Sequence, residues 1–369
     1  MEVVVSTRDL KNAVTAAALA ADISGKPQTP ILSNLLLRTD ENSLTITGTD
    51  DRNAIIVKIP AEVEKSGDSV VNAKILSQIV KVLTGGVSTL ETNENITTVK
   101  SDATKYDLPI VAEADDFPDF YSGETEGTFE ISSKDLKQLI KKSTFAASKD
   151  ITRPIFKGVH WNLKSQIVFA VATNTHRLVK VQSELLEPVK QEADLIIPAE
   201  LLNKIASILP EEEKLVKAEF NNRYILFKFE NVQVSSRLID GNFPPEEKVF
   251  PREERVKITM AVGALKAALE RVNLIAREIQ YNTVHLKFDE EGAEITANSY
   301  ATGKASENLN AEVEGKIEIA FNINYLLDYL KNCDNDATLK IVCNEPLTPA
   351  LFTTNLDSDV RYVITPVRV

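Results

Sequence analysis

Lysine side chains recur at helical spacing in two segments of this 369-residue chain. Lys134, Lys137 and Lys141 follow at intervals of three and four residues, which places them on one face of a helix. Lys74 and Lys81 lie seven residues apart and share a face in the same way. Lysine ammonium groups neutralise phosphates, so such rows indicate contact with a nucleic-acid backbone, whereas a single row is also typical of a solvated helix face.

The overall charge argues against contact with nucleic acid, because the formal net charge is -12. Net charge does not describe how charge is distributed over the molecule. The acidic residues cluster in predicted turns and loops, at 115–116, 124–126, 211–213 and 289–291. We therefore expect an acidic body with a basic, helix-lined concavity. The last third fits less well, since Lys266 and Arg271 are interleaved with Glu270.

The residues that carry enzyme chemistry are scarce. The three histidines, His160, His176 and His285, have no metalloprotease spacing, and the chain contains no phosphate-binding loop, dinucleotide fingerprint or nucleophile elbow. Cys333 and Cys343 are too far apart for a metal or redox pair, which predicts reduced structural thiols. We expect no catalytic residue, no metal and no cofactor.

No apolar run approaches the roughly 20 residues of a membrane span, and the N-terminus lacks the features of a signal peptide. A cytoplasmic location, in association with the nucleoid, is the expectation.

An internal repeat sets the architecture. Helix-like segments recur at intervals of about 125 to 129 residues, at 6–11, 132–137 and 262–266, and again at 74–79, 200–205 and 325–330. Alternating strands surround them, and Ser6 with Asp9 and Ser132 with Asp135 have capping-box spacing. The pattern predicts three α+β domains with antiparallel sheet, at residues 1–125, 126–252 and 253–369.

Helix width limits what six such helices could enclose. Six helices of about 10 Å diameter, set side by side on a circle, leave a hole of roughly 9 Å, and twelve leave roughly 28 Å. A DNA duplex roughly 20 Å across fits only the larger hole. The arithmetic favours a closed head-to-tail dimer.

Four segments resemble the bacterial DNA polymerase III beta subunits, or β sliding clamps: 30–37, 172–178, 236–244 and 362–369. The resemblance covers essentially the full length. It implies the DNA clamp fold, with helices lining a central hole, antiparallel sheets outside and a ring dimer. Members of this family are non-catalytic and tether polymerases to duplex DNA.

The resemblance also implies a hydrophobic pocket for short linear peptides of partner proteins. One subsite would comprise Thr173, Thr175, His176, Arg177, Leu178, Pro244 and Val249. The neighbouring subsite and rim would comprise Arg153, Phe156, Pro349, Thr365, Pro366, Val367 and Arg368. His176 and the two arginines Arg177 and Arg368 would orient a peptide backbone or carboxylate; taken alone, His176 is also typical of a structural histidine.

The family pattern is not matched throughout. Asn174 and Thr175 replace an Asp followed by a small residue, and Thr365 and Val367 replace the methionines of some members. The pocket is expected to persist, while its peptide preference does not follow from the resemblance.

DNA-facing and dimer residues complete the expectations. Lys26 and Lys149 match family DNA contacts, and the helix faces add Lys74, Lys81, Lys134, Lys137, Lys141 and Lys204. The resemblance also implies a dimer interface with Lys74, Lys105 and Tyr106 on one face and Leu274 and Ile275 on the other, where core packing is the alternative for the last two.

The expected partners are sequence-independent duplex DNA, a second copy of the chain, the replicative polymerase alpha subunit, the clamp loader, translesion polymerases and mismatch repair proteins. A repeat scaffold that binds proteins but not DNA remains open from the residues alone.

Overall fold

The computed structural model describes residues 1–23, 29–118 and 123–368. Each third of the described chain contains two α-helices among antiparallel strands, as the repeat predicts. The helices are α1 Thr7–Ala18, α2 Ala73–Val82, α3 Ser133–Thr144, α4 Ala199–Ile208, α5 Val262–Ala276 and α6 Ile323–Leu330.

The strands have a similar order in each third, with five strands between the two helices in the first and last thirds and four in the second. The first third contains β1 Glu2–Ser6, β2 Asn34–Asp40, β3 Ser43–Thr49, β4 Asn53–Pro60, β5 Glu62–Lys65, β6 Asp68–Asn72, β7 Val87–Asn93, β8 Ile96–Ser101 and β9 Thr104–Pro109. The second contains β10 Gly127–Ser132, β11 Gly158–Lys164, β12 Ile167–Thr173, β13 Arg177–Glu184, β14 Ala193–Pro198, β15 Leu215–Phe220, β16 Tyr224–Phe229 and β17 Val232–Arg237. The third contains β18 Val256–Ala261, β19 Thr283–Asp289, β20 Gly292–Ser299, β21 Gly303–Leu309, β22 Glu312–Glu314, β23 Ile317–Asn322, β24 Thr338–Cys343, β25 Ala350–Thr354 and β26 Val360–Ile364.

The chain divides into two compact units. Unit 1 comprises Met1–Lys134 and Lys204–Leu238, and unit 2 comprises Asp135–Asn203 and Ile239–Val369. Unit 1 holds a five-stranded sheet in the order β5-β1-β7-β8-β9 and an eight-stranded sheet in the order β10-β15-β16-β17-β4-β3-β2-β6. Unit 2 holds a nine-stranded sheet in the order β14-β11-β12-β13-β26-β25-β24-β18-β22 and a four-stranded sheet in the order β21-β20-β19-β23.

Two strand pairs explain this division. In unit 1, β17 pairs with β4, and Val234 lies opposite Ile55. In unit 2, β13 pairs with β26, and Leu178 lies opposite Val363. Each pair joins strands from two different thirds, so both sheets continue across the predicted domain boundaries. The limits 1–125, 126–252 and 253–369 stay a prediction.

Helix α1 shows how the repeat positions its helices. The Ser6 hydroxyl accepts a hydrogen bond from the Asp9 backbone NH at 3.4 Å, which confirms the predicted cap. One face of the helix is buried, including Leu10, Val14 and Ala17. This face packs against β3 and β4, where burial of aliphatic side chains holds the helix on the sheet.

The two cysteines are free thiols, as the sequence predicts. Burial raises the pKa of Cys333 to about 11 and that of Cys343 to about 12, so both stay protonated at neutral pH. In the part of the chain that the structure describes, every helix is too short or too polar to cross a membrane.

Gly48 on β3 lies directly against the backbone of α1. A Cβ at Gly48 would lie 2.1 Å from the Ala17 carbonyl oxygen, a backbone atom that cannot rotate away. We expect Gly48→Ala to lower the free energy of unfolding by about 1–3 kcal/mol, since α1 must shift. Urea unfolding followed by circular dichroism measures the change. Gly86→Ala is the control, because its Cβ meets nothing within 4 Å; equal stabilities of the two variants would contradict this account.

Candidate functional site

An apolar cavity of about 150 Å³ lies in unit 2, where β13 and β26 pair. Leu178 and Val363 belong to a buried cluster with Val171 and Phe250. The cavity is lined by Phe156, Thr173, Thr175, His176, Arg177, Leu178, Phe243, Pro244, Pro245, Glu246, Val249, Val363 and Thr365. Its floor is therefore made by strands of two repeats, and its wall by the segment 243–249.

Aromatic contacts fix one wall of this cavity. The Phe243 ring stacks on the His160 imidazole with centroids 5.0 Å apart, and meets Phe156 edge-on at 6.0 Å. His160 Nε2 lies 2.9 Å from Asp194 Oδ1, which fixes the imidazole ring behind Phe243. The wall is thus built before any ligand arrives, and an apolar anchor would not have to order it.

A second, more polar cavity of about 480 Å³ adjoins the first. The two cavities share Phe156, Thr175, His176 and Arg177. The remaining lining residues of the second cavity are Ala147, Ser148, Lys149, Asp150, Arg153, Asn174 and Tyr325. An apolar cavity with an adjoining polar one has the composition of a site for a short peptide with an apolar anchor.

Arg177 lines both cavities, but its guanidinium is already bound by other residues of the chain. Its side chain is only 8% exposed, and Nη1 donates to Asp328 Oδ2 at 2.7 Å. Nη2 donates to the Phe145 carbonyl, and the guanidinium lies over the Tyr325 ring at 4.7 Å. A ligand carboxylate would have to displace the Asp328 pair, so Arg177 serves to support the site more than to receive charge.

Backbone contacts bring the C-terminal segment to the same place. Both the backbone NH and the hydroxyl of Thr365 donate to the His176 carbonyl, at 2.9 and 2.8 Å. Two residues later, the Val367 NH donates to the Ala320 carbonyl at 2.8 Å. The His176 side chain remains exposed, so its imidazole is accessible to a ligand.

The structure brings together ten of the fourteen residues predicted for the pocket, all of them lining one or both cavities. Four predicted rim residues lie outside the lining of both: Pro349, Pro366, Val367 and Arg368. The first three are half-buried and Arg368 is exposed.

Sequence reasoning missed part of the lining. Phe243 and Pro245 flank the predicted Pro244, and this adjacency could have identified them as lining residues. Val363 enters the cavity because it lies opposite Leu178 across the β13–β26 pair, 185 positions away in the chain, which no local periodicity reveals. Tyr325 enters from the start of α6 and carries no such signal either.

Most of the lysines predicted on the faces of α2 and α3 are exposed. Four lysines are exposed and form no ion pair within the described residues: Lys74, Lys81, Lys134 and Lys141. Beneath them Leu76 and Leu136 are fully buried, so each helix presents its ammonium groups away from the core. Uncompensated ammonium groups on a strongly acidic chain suit phosphate contacts.

The other predicted DNA contacts are less uniform. Lys149 is exposed, and Lys137 is half-buried. The Lys204 ammonium lies 4.0 Å from Asp50 Oδ2 and is partly compensated. Lys26 falls outside the described residues.

The predicted dimer residues lie at two sheet ends. Lys105 and Tyr106 lie on β9, the last strand of its sheet, and the Lys105 ammonium is 3.1 Å from Asp107 Oδ2. Leu274 and Ile275 lie on α5, which packs against β21, also a terminal strand. Leu274 is 63% exposed and Ile275 is half-buried, so core packing does not account for Leu274.

Lys180 holds the wall segment of the apolar cavity. Its ammonium lies 2.5 Å from Glu247 Oε1 and 3.1 Å from Glu246 Oε1. Burial lowers the pKa of Lys180, but the hydrogen bonds to both glutamates outweigh it and leave the pKa raised; the hydrogen bond from Lys180 lowers the pKa of Glu247. Lys180 and Glu247 are therefore both charged at neutral pH, and the contacts of the Lys180 ammonium with Glu246 and Glu247 fix the short 3₁₀ turn Glu246–Lys248.

We expect Lys180→Met to loosen this wall, because it removes both ion pairs but keeps the aliphatic stem. Hydrogen–deuterium exchange over residues 243–250, including the Val249 NH that donates to Glu246 O, should become about three- to tenfold faster. Lys190→Met is the control, since Lys190 is exposed and forms no ion pair within the described residues. Unchanged exchange in Lys180→Met would refute this role.

Sequence profiles of one family match the three thirds of the chain in order. They are described as the N-terminal, central and C-terminal domains of the DNA polymerase III beta subunit, and match residues 1–121, 130–245 and 247–368. The beta sliding clamp of Bacillus subtilis (strain 168) is 30% identical over 358 residues, which cover 94% of each chain. That of Staphylococcus aureus (strain Mu50 / ATCC 700699) is 29% identical over 357 residues, with the same coverage.

Solved structures agree with these matches. The crystal structure of the Bacillus subtilis DNA polymerase sliding clamp has a TM-score of 0.93 at 28% identity, covering 100% of this chain and 99% of that one. A Pseudomonas aeruginosa sliding clamp bound to griselimycin has a TM-score of 0.93 at 25% identity, covering both chains fully. The chain therefore belongs to the DNA polymerase III beta subunit family, the beta sliding clamps, and is a non-catalytic processivity subunit rather than an enzyme.

Proposed function

We propose that two copies of the chain close head to tail into a ring around duplex DNA and slide along it without reading its sequence. The observation that carries this proposal is a set of four exposed helix lysines that form no ion pair within the described residues, in a chain with net charge -12: Lys74, Lys81, Lys134 and Lys141. Phosphate contacts of this kind are weak and independent of sequence. A closed ring needs no tighter contact, since it is retained by topology, and stronger binding would slow its sliding.

Two strands that end their sheets among the described residues support the dimer. Strand β9 ends the five-stranded sheet of unit 1, and β21 ends the four-stranded sheet of unit 2. If β9 of one copy pairs with β21 of the other, the two copies are joined head to tail. Two such contacts close a ring. The exposed Leu274 beside β21 would then be covered by the partner, opposite Lys74, Lys105 and Tyr106.

The pocket in unit 2 would recruit the partners. Its apolar cavity suits a buried hydrophobic anchor, and the adjoining polar cavity suits the flanking peptide. The griselimycin-bound relative supports a ligand-binding function for clamps of this family. The peptides would come from the replicative polymerase alpha subunit, the clamp loader, translesion polymerases and mismatch repair proteins. Because the ring slides on DNA, the protein would act in the cytoplasm, at the nucleoid.

DNA topology tests the ring directly. After loading onto a nicked plasmid by a bacterial clamp loader with ATP, we expect the protein to co-elute with circular DNA in gel filtration. Cutting the plasmid once should release it, because a sliding ring leaves through free ends. Equal release from circular and linear DNA would contradict the ring and favour a scaffold that binds proteins only.

The interface variant links this result to the dimer. Leu274→Ala with Ile275→Ala should give monomers in analytical ultracentrifugation and no retention on circular DNA, because the apolar contact between copies is lost. Leu356→Ala is the control, since Leu356 is 58% exposed in the loop between β25 and β26. A dimer that survives the double substitution would refute this interface.

The C-terminal segment tests the pocket separately. Deleting Pro366 to Val369 should abolish binding of a polymerase-derived peptide, because the deletion begins directly after Thr365, which donates to the His176 carbonyl, and removes the Val367 NH that donates to the Ala320 carbonyl. Fluorescence polarisation measures the peptide, and sedimentation measures the dimer, which should remain intact. Loss of the dimer on this deletion would argue against the pocket assignment.

A further inference from the structure

The same turn occurs in two of the three repeats. Between β3 and β4, the Thr49 hydroxyl donates to the Asn53 carbonyl at 2.8 Å and accepts from the Asp51 NH at 3.2 Å. Asp50 Oδ1 accepts from the NH groups of Arg52 and Asn53, at 3.0 and 2.8 Å. Side chains of the first two residues thus satisfy the backbone of the whole turn.

The turn between β12 and β13 repeats this pattern bond for bond. The Thr173 hydroxyl donates to the Arg177 carbonyl at 2.6 Å and accepts from the Thr175 NH at 3.0 Å. Asn174 Oδ1 accepts from the NH groups of His176 and Arg177, both at 3.0 Å. The two turns differ in what stands at their centre, Asp51 in one and Thr175 in the other.

Both central residues have left-handed backbone conformations, with φ of 73° at Asp51 and 75° at Thr175. Aspartate tolerates this region, whereas a β-branched side chain crowds the neighbouring peptide and is strained there. Within the described residues, Thr175 is the one β-branched residue among the non-glycines at positive φ, the others being Asp51, Asp102, Ser165, Glu230, Tyr281 and Asn282.

Threonine is not required by the turn itself. Thr175 contributes its backbone NH, and its hydroxyl forms no hydrogen bond within the described residues. The first repeat makes the same turn with an aspartate, so a less strained alternative exists in this same chain. The strain at Thr175 therefore calls for a reason outside the turn, since strained residues concentrate at binding sites.

The position of Thr175 supplies that reason. Its exposed side chain lines both the apolar and the polar cavity of unit 2. Phe156, His176 and Arg177 also line both cavities. A peptide that fills both cavities passes over Thr175. The hydrogen bonds of the turn hold the Thr175 backbone in place, so it cannot move aside for the peptide.

We propose that Thr175 is a specificity-determining residue, which admits only a small side chain at the peptide position that crosses between the cavities. This inference rests on the proposed peptide-binding function. The threonine methyl and hydroxyl occupy space that a glycine would leave open, so a bulky ligand side chain at the crossing is excluded sterically.

Labelled peptides test the proposal. The probes are fluorescein-labelled hexapeptides with a Leu-Phe anchor, in which each other position carries either glycine or leucine. For the native protein we expect one position at which leucine weakens binding at least about fivefold relative to glycine. Thr175→Gly should reduce that ratio below about twofold, because the obstruction is gone.

Two further variants separate strain from selectivity. Thr175→Asn relieves the strain but keeps a side chain at the crossing, so it should retain the preference for glycine. Both substitutions at Thr175 should raise Tm by about 1–3 °C. Asp51→Gly, in the matching turn of unit 1, should leave the peptide ratio unchanged and alter Tm by less, since aspartate is less strained.

The outcomes are distinct. If the native protein binds the peptides and Thr175→Gly keeps the native ratio, Thr175 does not set specificity and the inference is overturned while the pocket stands. If the native protein binds none of the peptides, the proposed pocket function fails and the inference fails with it. Equal loss of the ratio in Asp51→Gly would also overturn it, because the effect would then not be local.

Discussion

Strand pairing between neighbouring repeats is the constraint on which the site depends. A single repeat leaves its sheet edges unpaired, and unpaired edges seek partners. In unit 2 the edge of β13 is paired by β26, which sets Leu178 opposite Val363 and builds the floor of the apolar cavity. The pairing of β17 with β4 does the same for the sheet of unit 1. The cavity is therefore a consequence of repetition, because it needs strands from two copies of the unit.

Much of the local structure follows from the sequence, since it depends on residues close together in the chain. The helices predicted around 262–266 and 325–330 and the Ser6 cap appear as expected, and the lysines at 134 and 141 are exposed above a buried Leu136. What the sequence does not reveal is set by distant pairing. Periodicity describes which face of β26 is buried but not that its partner is β13, so Val363 and the division into two units could not be foreseen.

Lysines on the sheets and lysines on the helices differ in whether a carboxylate lies beside them. Most lysines on the sheets are paired with carboxylates, as in Lys228 with Glu219 at 2.8 Å and Lys100 with Glu91 at 2.6 Å. The helix lysines Lys74 and Lys134 have no such partner within the described residues. Exposed ion pairs contribute at most about 1 kcal/mol each to stability. Stability alone therefore does not explain why the sheet lysines are paired and these helix lysines are not. Leaving these ammonium groups uncompensated keeps them available to an outside anion.

Repetition also shows how one shared turn differs between its two copies. Two copies of one turn, with the same hydrogen bonds, carry Asp51 in unit 1 and Thr175 in unit 2. A strained backbone of this kind costs about 1–3 kcal/mol, a notable fraction of a domain's stability of about 5–15 kcal/mol. The first copy avoids most of that cost with an aspartate, which demonstrates that the fold does not impose it. Only the copy that borders both cavities bears it, so the cost is tied to the site and not to the turn.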